Sequence, residues 1–347
     1  MTRALLCMLL LLLLPFPSYA AEFTAPEVPQ MGAEYMPQNT ESFGDAVWEL
    51  TQSIIYLIHP ELENAIRVGV CLIAAVMILS VFSILSFRIH KAVSTVGATA
   101  IATVMFQNVD SMIRLASDAI HEICEYGKLL CPVMTMSLAA QGGITTSAAL
   151  YTGTTVFITI MSMLVSKVLV PMAYIFLIFS VCHCALETEA LKKISETVKG
   201  AMSWLLKTLL IVSTSYMSIT GVVSGTTDAA TLKAAKVTIS SVVPVVGGIL
   251  SDASDAVLVS IGVLKNAAGI YGILAVLAVF AGPFVKVGVQ FLVLKITAGI
   301  CGIFGEKHLT ALIEEFSAAM GLLLGMVAAC CMLVLFSTVC FMRGAGA

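Results

Sequence analysis

Apolar residues in this chain gather into runs of about twenty, the length a helix needs to cross the ~30 Å hydrocarbon core of a bilayer. The runs fall at about Val68 to Phe87, Ala92 to Val109, Thr154 to Cys184, Met202 to Val223, Ala256 to Ala281, Pro283 to Ile303 and Ser317 to Phe341. Between them the pattern turns amphipathic. Phe43, Val47, Leu50, Ile54, Leu57 and Ile58 recur at helical spacing, as do Leu191, Ile194 and Val198 in ETEALKKISETVKG. Such stretches suit helices lying along a membrane surface. The pattern predicts an all-α, polytopic helical membrane protein with about seven transmembrane helices, one or two re-entrant half-segments and amphipathic interfacial helices. The run from 154 to 184 is over-long for one span and carries Lys167 and Pro171, so it reads as one kinked helix or as two pieces.

Composition agrees with that class: 59% of residues are hydrophobic and 11% charged, and the mean hydropathy is +1.02. A net charge of -3 points to neither nucleic acid nor an acidic substrate. Arg3, the apolar run Ala4 to Leu14, and Pro15 and Pro17 ahead of Ser18 to Ala20 predict a signal peptide over residues 1–21. Residues 22–66 follow with eight acidic side chains and no lysine or arginine, an extracytoplasmic segment. A membrane domain fills 67–347. Arg88, His90 and Lys91 after the first span, and Lys192, Lys193 and Lys199 after the long run, mark cytoplasmic turns. With seven spans the mature N-terminus is outside and Arg343 inside.

Residues 228–269 interrupt the apolar pattern and form the predicted polar core. Val237 to Leu250 is too short to cross, and Pro244, Gly247 and Gly248 supply the turn of a re-entrant half-helix. Asp228, Lys233 and Lys236 precede it. Downstream, Asp252, Asp255, Gly262, Asn266 and Gly269 share one helical face, with Lys265 beside it. Ionisable residues there suit a pore or substrate-path lining, whereas glycines suit close helix contact. An echo in the spacing, Pro132, Gly142, Gly143 and Pro171 against Pro244, Gly247, Gly248 and Pro283, raises an internal repeat.

The chemical motifs are sparse. HEICE at 121–125 lacks the second histidine of a zinc-protease helix, and Cys182, His183 and Cys184 project about 100° apart on a helix. Cys124 and Cys131 are too far apart along a helix to pair unless it breaks at Gly127. No phosphate loop, dinucleotide fingerprint or nucleophile elbow is present. We expect neither an enzyme nor a cofactor or metal site. GxxxG occurs at 221–225 and 321–325, a close-packing pattern in membrane helices.

Asp228, Lys236 ahead of a short apolar run, the PVVGG of 244–248, the SDA beginning at Ser251 and the LKNAAG of 264–269 resemble the characteristic stretch of the stage III sporulation protein AE family. The similarity is strongest from about Trp204 to Lys286 and extends more weakly from about Ser166 to Phe341. It implies a component of the transenvelope complex of endospore-forming bacteria, in the mother-cell membrane surrounding the forespore. The implied partners are ring-forming membrane proteins and a secretion-type ATPase of the same operon. The implied role is a channel or export gate. An independent ion-coupled carrier and a non-conducting scaffold are the competing readings, and copies of the chain are a further possible partner.

Overall fold

The computed structural model describes residues 26–37, 43–85, 90–186, 188–242, 247–304 and 307–343, with the backbone alone at 83–85, 90–94, 221–242, 247–262, 264, 265 and 304. All regular structure among them is helical: α1 (Gln30–Ala33), α2 (Phe43–Leu85), α3 (His90–Ala140), α4 (Ile144–Leu164), α5 (Val170–Leu186), α6 (Glu189–Val242), α7 (Gly247–Cys301) and α8 (Lys307–Arg343). A π turn, Val165–Leu169, joins α4 to α5, and a 3₁₀ turn, Gly302–Phe304, follows α7. The π turn stands just before Pro171, which has no N–H to give the carbonyl one turn back. Widening that turn lets the backbone pass the proline ring, and the Val170 N–H bonds to the Val165 carbonyl.

The long helices alternate in direction. Gly269 of α7 meets Met342 of α8 and Met134 of α3, and Gly321 of α8 faces Phe291 of α7, so α7 runs opposite to both neighbours. α3, α7 and α8 form the centre of the bundle, α2 packs on α7 and α3, and α4 to α6 pack on the other side against α3 and α8. The C-terminal ends of α2, α5 and α7 and the N-terminal ends of α3, α6 and α8 therefore gather at one end. Thr95 Oγ1 donates to the Ala185 carbonyl at 3.2 Å, and the Cys184 thiol bonds to the His308 carbonyl, tying them together. At the other end Gly142 adopts φ 93° between α3 and α4, a left-handed geometry that glycine takes without strain.

Helix length is the main departure from expectation. At ~1.5 Å per residue, α2 to α7, with α4 and α5 counted as one run, measure roughly 65–83 Å, more than twice a hydrocarbon core. Residues 256–281 and 283–301 lie on one helix, since α7 runs through a buried Pro283, and the seven-span count is not confirmed. Packing against α1, α2 and α8 holds the two sides of the proline in line where sequence alone suggests a break. Arg343 consequently ends α8 partway up the bundle, one residue past the Met342 that meets Gly269 of α7, and not beside the basic helix ends. Among the described residues four helical runs are long and apolar enough to cross a membrane: Phe43–Phe82, Ile144–Leu186, Asn266–Cys301 and Lys307–Arg343. The second of these resolves 154–184 as one run.

The amphipathic stretches are likewise not separate surface helices. Residues 43–58 open α2, which runs through 66 and 67 without interruption, and 189–200 open α6. Residues 237–242 complete α6 and 247–250 open α7, so no half-helix of its own occupies 237–250 among the described residues. Of the prolines in the spaced pattern, Pro132, Pro171 and Pro283 lie within helices, and Pro244 lies outside the described residues. The predicted signal peptide, residues 1–21, lies outside the described residues.

Candidate functional site

The polar core predicted from sequence sits around the junction of α6 and α7. Asp228 and Lys236 belong to the last turns of α6; Gly247, Gly248, Ser251, Asp252, Asp255, Gly262 and Lys265 belong to the first turns of α7. Their side chains, and Pro244 entirely, lie outside the described residues. The helical premise of the stripe holds, since α7 is continuous across it. Its two described members part ways: Asn266 is exposed and Gly269 is buried. A Cβ on Gly269 would stand 2.7 Å from Met342 Cγ and 3.2 Å from Met134 Cε, so at this position the stripe is a contact between helices.

Farther along α7 the close approaches continue. Gly272 faces Leu130 of α3, Gly282 faces the ring of Tyr35, and Gly69 of α2 faces Thr297. This use of small residues brings four elements onto one helix. The same seam carries charge. Lys286 Nζ lies 3.5 Å from Glu61 Oε1 across α7 and α2, both side chains about one-third exposed or less. One turn on, Gln290 is buried and its Nε2 has no hydrogen-bond partner. Ser317 Oγ of α8 donates to the Phe291 carbonyl at 3.2 Å.

Two further polar ties cross the bundle. Tyr174 of α5 donates its hydroxyl to Asp110 Oδ1 of α3 at 2.6 Å, and Arg114 Nε donates to Asp110 Oδ2 at 2.9 Å. The Tyr174 hydrogen bond, then that of Arg114, holds the Asp110 carboxyl below the usual carboxylate range. Near the basic turns, Lys199 Nζ of α6 lies 4.0 Å from Glu315 Oε2 of α8 and 5.9 Å from the ring centroid of Phe176. Lys286 and Glu315 were missed as sites by pattern reading. Their signal was charge within an apolar run, but the sequence does not name a partner 225 or 116 residues away.

An open apolar groove of about 600 Å³ separates α2 from α3, lined by Arg67, Cys71, Ala75, Gly97, Ala100 and Val104 among others. It offers a surface for hydrocarbon rather than for a polar solute.

HEICE has a structural use. Glu122 Oε2 accepts the Met31 N–H of α1 at 3.0 Å, Glu125 pairs with Lys128 at 2.8 Å, and His121 is exposed. A carboxylate at the first turn of α1 satisfies a donor that the helix leaves free. α3 does not break at Gly127, so Cys124 and Cys131 do not meet; Cys124 Sγ instead lies 3.3 Å from Cys330 Sγ of α8. Burial pushes the Cys131 thiol up to about 12. Cys184 is buried on the His308 carbonyl while His183 Nδ1 lies 3.0 Å from the Thr188 carbonyl, so the adjacent residues diverge. Among the described residues no three His, Cys, Asp or Glu side chains converge as a metal site would require.

Comparison with known proteins places this arrangement. The family described as stage III sporulation protein AE matches residues 33–346. A stage III sporulation protein AE of Bacillus subtilis (strain 168) is 24% identical over 269 residues, 75% of this chain and 66% of the relative, just under two-thirds of its length. No solved structure matches the chain.

Proposed function

Because the chain belongs to the stage III sporulation protein AE family, we propose that it is a membrane-embedded export-gate or channel subunit of the sporulation transenvelope complex, in the mother-cell membrane around the forespore. The observation that carries this reading is the two-tier bundle. Helices α2, α3, α6 and α7 and the α4–α5 run are more than twice as long as a hydrocarbon core is thick, and the helix ends carrying His90, Lys91, Lys192, Lys193 and Lys307 gather at one end. By the positive-inside rule that end faces the mother-cell cytoplasm, where a secretion-type ATPase would act. The mature N-terminus and the α6–α7 junction then lie outside, toward ring-forming partners between the membranes. A subunit built this way links a cytoplasmic motor to an extracytoplasmic conduit.

The buried contact of Gly269 with Met342 and Met134 favours a second reading, a non-conducting scaffold. One experiment separates the two. Cysteines placed at Asp252, Asp255 and Asn266 in the assembled complex are treated with a membrane-impermeant thiol reagent, and tracer flux is measured before and after. The gate reading expects labelling at all three and blocked flux. Labelling that leaves flux unchanged would favour the scaffold. Tracer flux by the purified chain alone in liposomes would instead indicate an independent carrier.

A further inference from the structure

The groove between α2 and α3 has uncharged walls, a closed foot and a charged mouth. α2 carries no charged residue from Val68 to its end at Leu85, and α3 carries none from Ala92 to Val109. At ~1.5 Å per residue each stretch is about 27 Å long, close to the ~30 Å hydrocarbon core of a bilayer. At the foot the helices touch, since a Cβ on Gly97 would stand 2.7 Å from Leu79 Cδ1. Toward Arg67 they part, and the small side chains of Ala75 and Ala100 leave a space of about 600 Å³. From Leu79 to Arg67 the α2 wall rises about 18 Å at ~1.5 Å per residue, little more than half of that ~30 Å core, the depth of one leaflet.

Every residue lining the groove is uncharged except Arg67, which stands where the uncharged length of α2 ends. Glu63 lies one turn farther out on the same face, in line with Arg67, Cys71 and Ala75 at four-residue spacing. Arg67 Nη2 is 3.8 Å from Glu63 Oε1, and both side chains are mostly exposed. So loose an exposed pair contributes little by itself and leaves each group open to a further partner. The mouth is neutral in sum but ordered, with the cation beside the hydrocarbon and the anion beyond it.

We propose that this groove binds one zwitterionic phospholipid with a primary-amine headgroup, an acyl chain lying between α2 and α3, its phosphate on Arg67 and its ammonium on Glu63. The order of charges selects that headgroup. In such a lipid the phosphate adjoins the chains and the ammonium lies outermost, the complement of Arg67 inside and Glu63 outside. An anionic headgroup without an amine would answer Arg67 and leave Glu63 facing a like charge, and a choline has no N–H to donate to a carboxylate. A helix of ~10–12 Å diameter cannot follow the groove to its foot, where the walls meet, whereas a hydrocarbon chain can. The proposal rests on α2 and α3 lying in a bilayer and not on the export-gate role.

The test places a reporter in the groove. Trp48 and Trp204 are replaced by Phe, and Val104→Trp is introduced on the α3 wall, or Ile296→Trp on an exposed apolar position of α7 outside the groove. The full chain is reconstituted in phosphatidylcholine nanodiscs containing a minor fraction of brominated-chain phosphatidylethanolamine, phosphatidylglycerol or phosphatidylcholine. At Val104→Trp the ethanolamine lipid should quench several-fold more than the other two, and exchanging the charges by Glu63→Arg with Arg67→Glu should abolish the preference. Ile296→Trp should show none. Equal quenching by all three lipids at Val104→Trp would leave only bulk lipid in the groove and overturn the site, with the bilayer placement intact. A preference for phosphatidylglycerol would overturn the headgroup assignment. Quenching at Ile296→Trp alone would give the groove to protein, and quenching at neither position would overturn the placement as well. Native mass spectrometry of the chain without tryptophan changes is the second measurement. It should retain one phosphatidylethanolamine that the charge-exchanged variant loses; retention of no lipid, or of all three equally, would overturn the proposal.

Discussion

Lys286 is the lone charge between Lys265 and Lys295, in sequence that otherwise reads as uninterrupted apolar helix. Its 3.5 Å approach to Glu61 explains how it is tolerated. Breaking a partly buried pair leaves one charge without compensation, whereas replacing both partners with apolar groups removes the desolvation penalty as well. Lys286→Met should therefore lower stability by about 1–2 kcal/mol, and adding Glu61→Leu should recover most of the loss. Thermal unfolding of the four proteins of this cycle in detergent reads the coupling directly. Gly32 makes a different kind of contact. A Cβ there would stand 2.8 Å from the Val279 backbone nitrogen, which cannot rotate away as a side chain can. Gly32→Ala should undock α1 from α7 and expose the segment around Met31 to limited proteolysis, with the rest of the bundle still folded.

At the scale of elements, the ties between helices decide how the apolar runs are joined. Asp110 holds α3 to α5 through Tyr174, and its carboxyl is held below the ordinary range. A carboxyl whose folded pKa is depressed contributes stability above its unfolded value of ~3.9 and loses that contribution as pH falls through the folded value. The melting-temperature gap between the native chain and Asp110→Asn should thus stay level from pH 7 to about 5 and close below about 4. A gap that widened on acidification would reverse the sign and exclude this role for Asp110. Element identity was legible where periodicity was long, as in α8, whose apolar core was marked from Ser317 to Phe341. Element continuity was not. Pro283 and the polar residues after Val109 look like ends of spans, because local sequence shows a missing donor or a change of polarity but not the neighbouring helix that compensates for it.

The whole molecule turns these continuities into a topology. Merging the two spans expected on α7 removes one crossing, so the proposed membrane arrangement puts both the mature N-terminus and Arg343 outside. A C-terminal alkaline phosphatase fusion should be active and a C-terminal green fluorescent protein fusion dark; the opposite pair of results would restore the extra crossing. Apolar patterning, basic turns and the stretch from Asp228 to Gly269 were sufficient, by sequence alone, to determine a helical membrane protein of the sporulation AE family, because hydrophobic length and local wording carry that information without reference to distant residues. Only tertiary structure decided that the helices outrun the bilayer, that Gly269 packs on Met342 and Met134, and that Glu61 meets Lys286. Each of those depends on what another helix brings to the same height, and a proline, glycine or lone charge has no settled meaning until its partner across the bundle is in place.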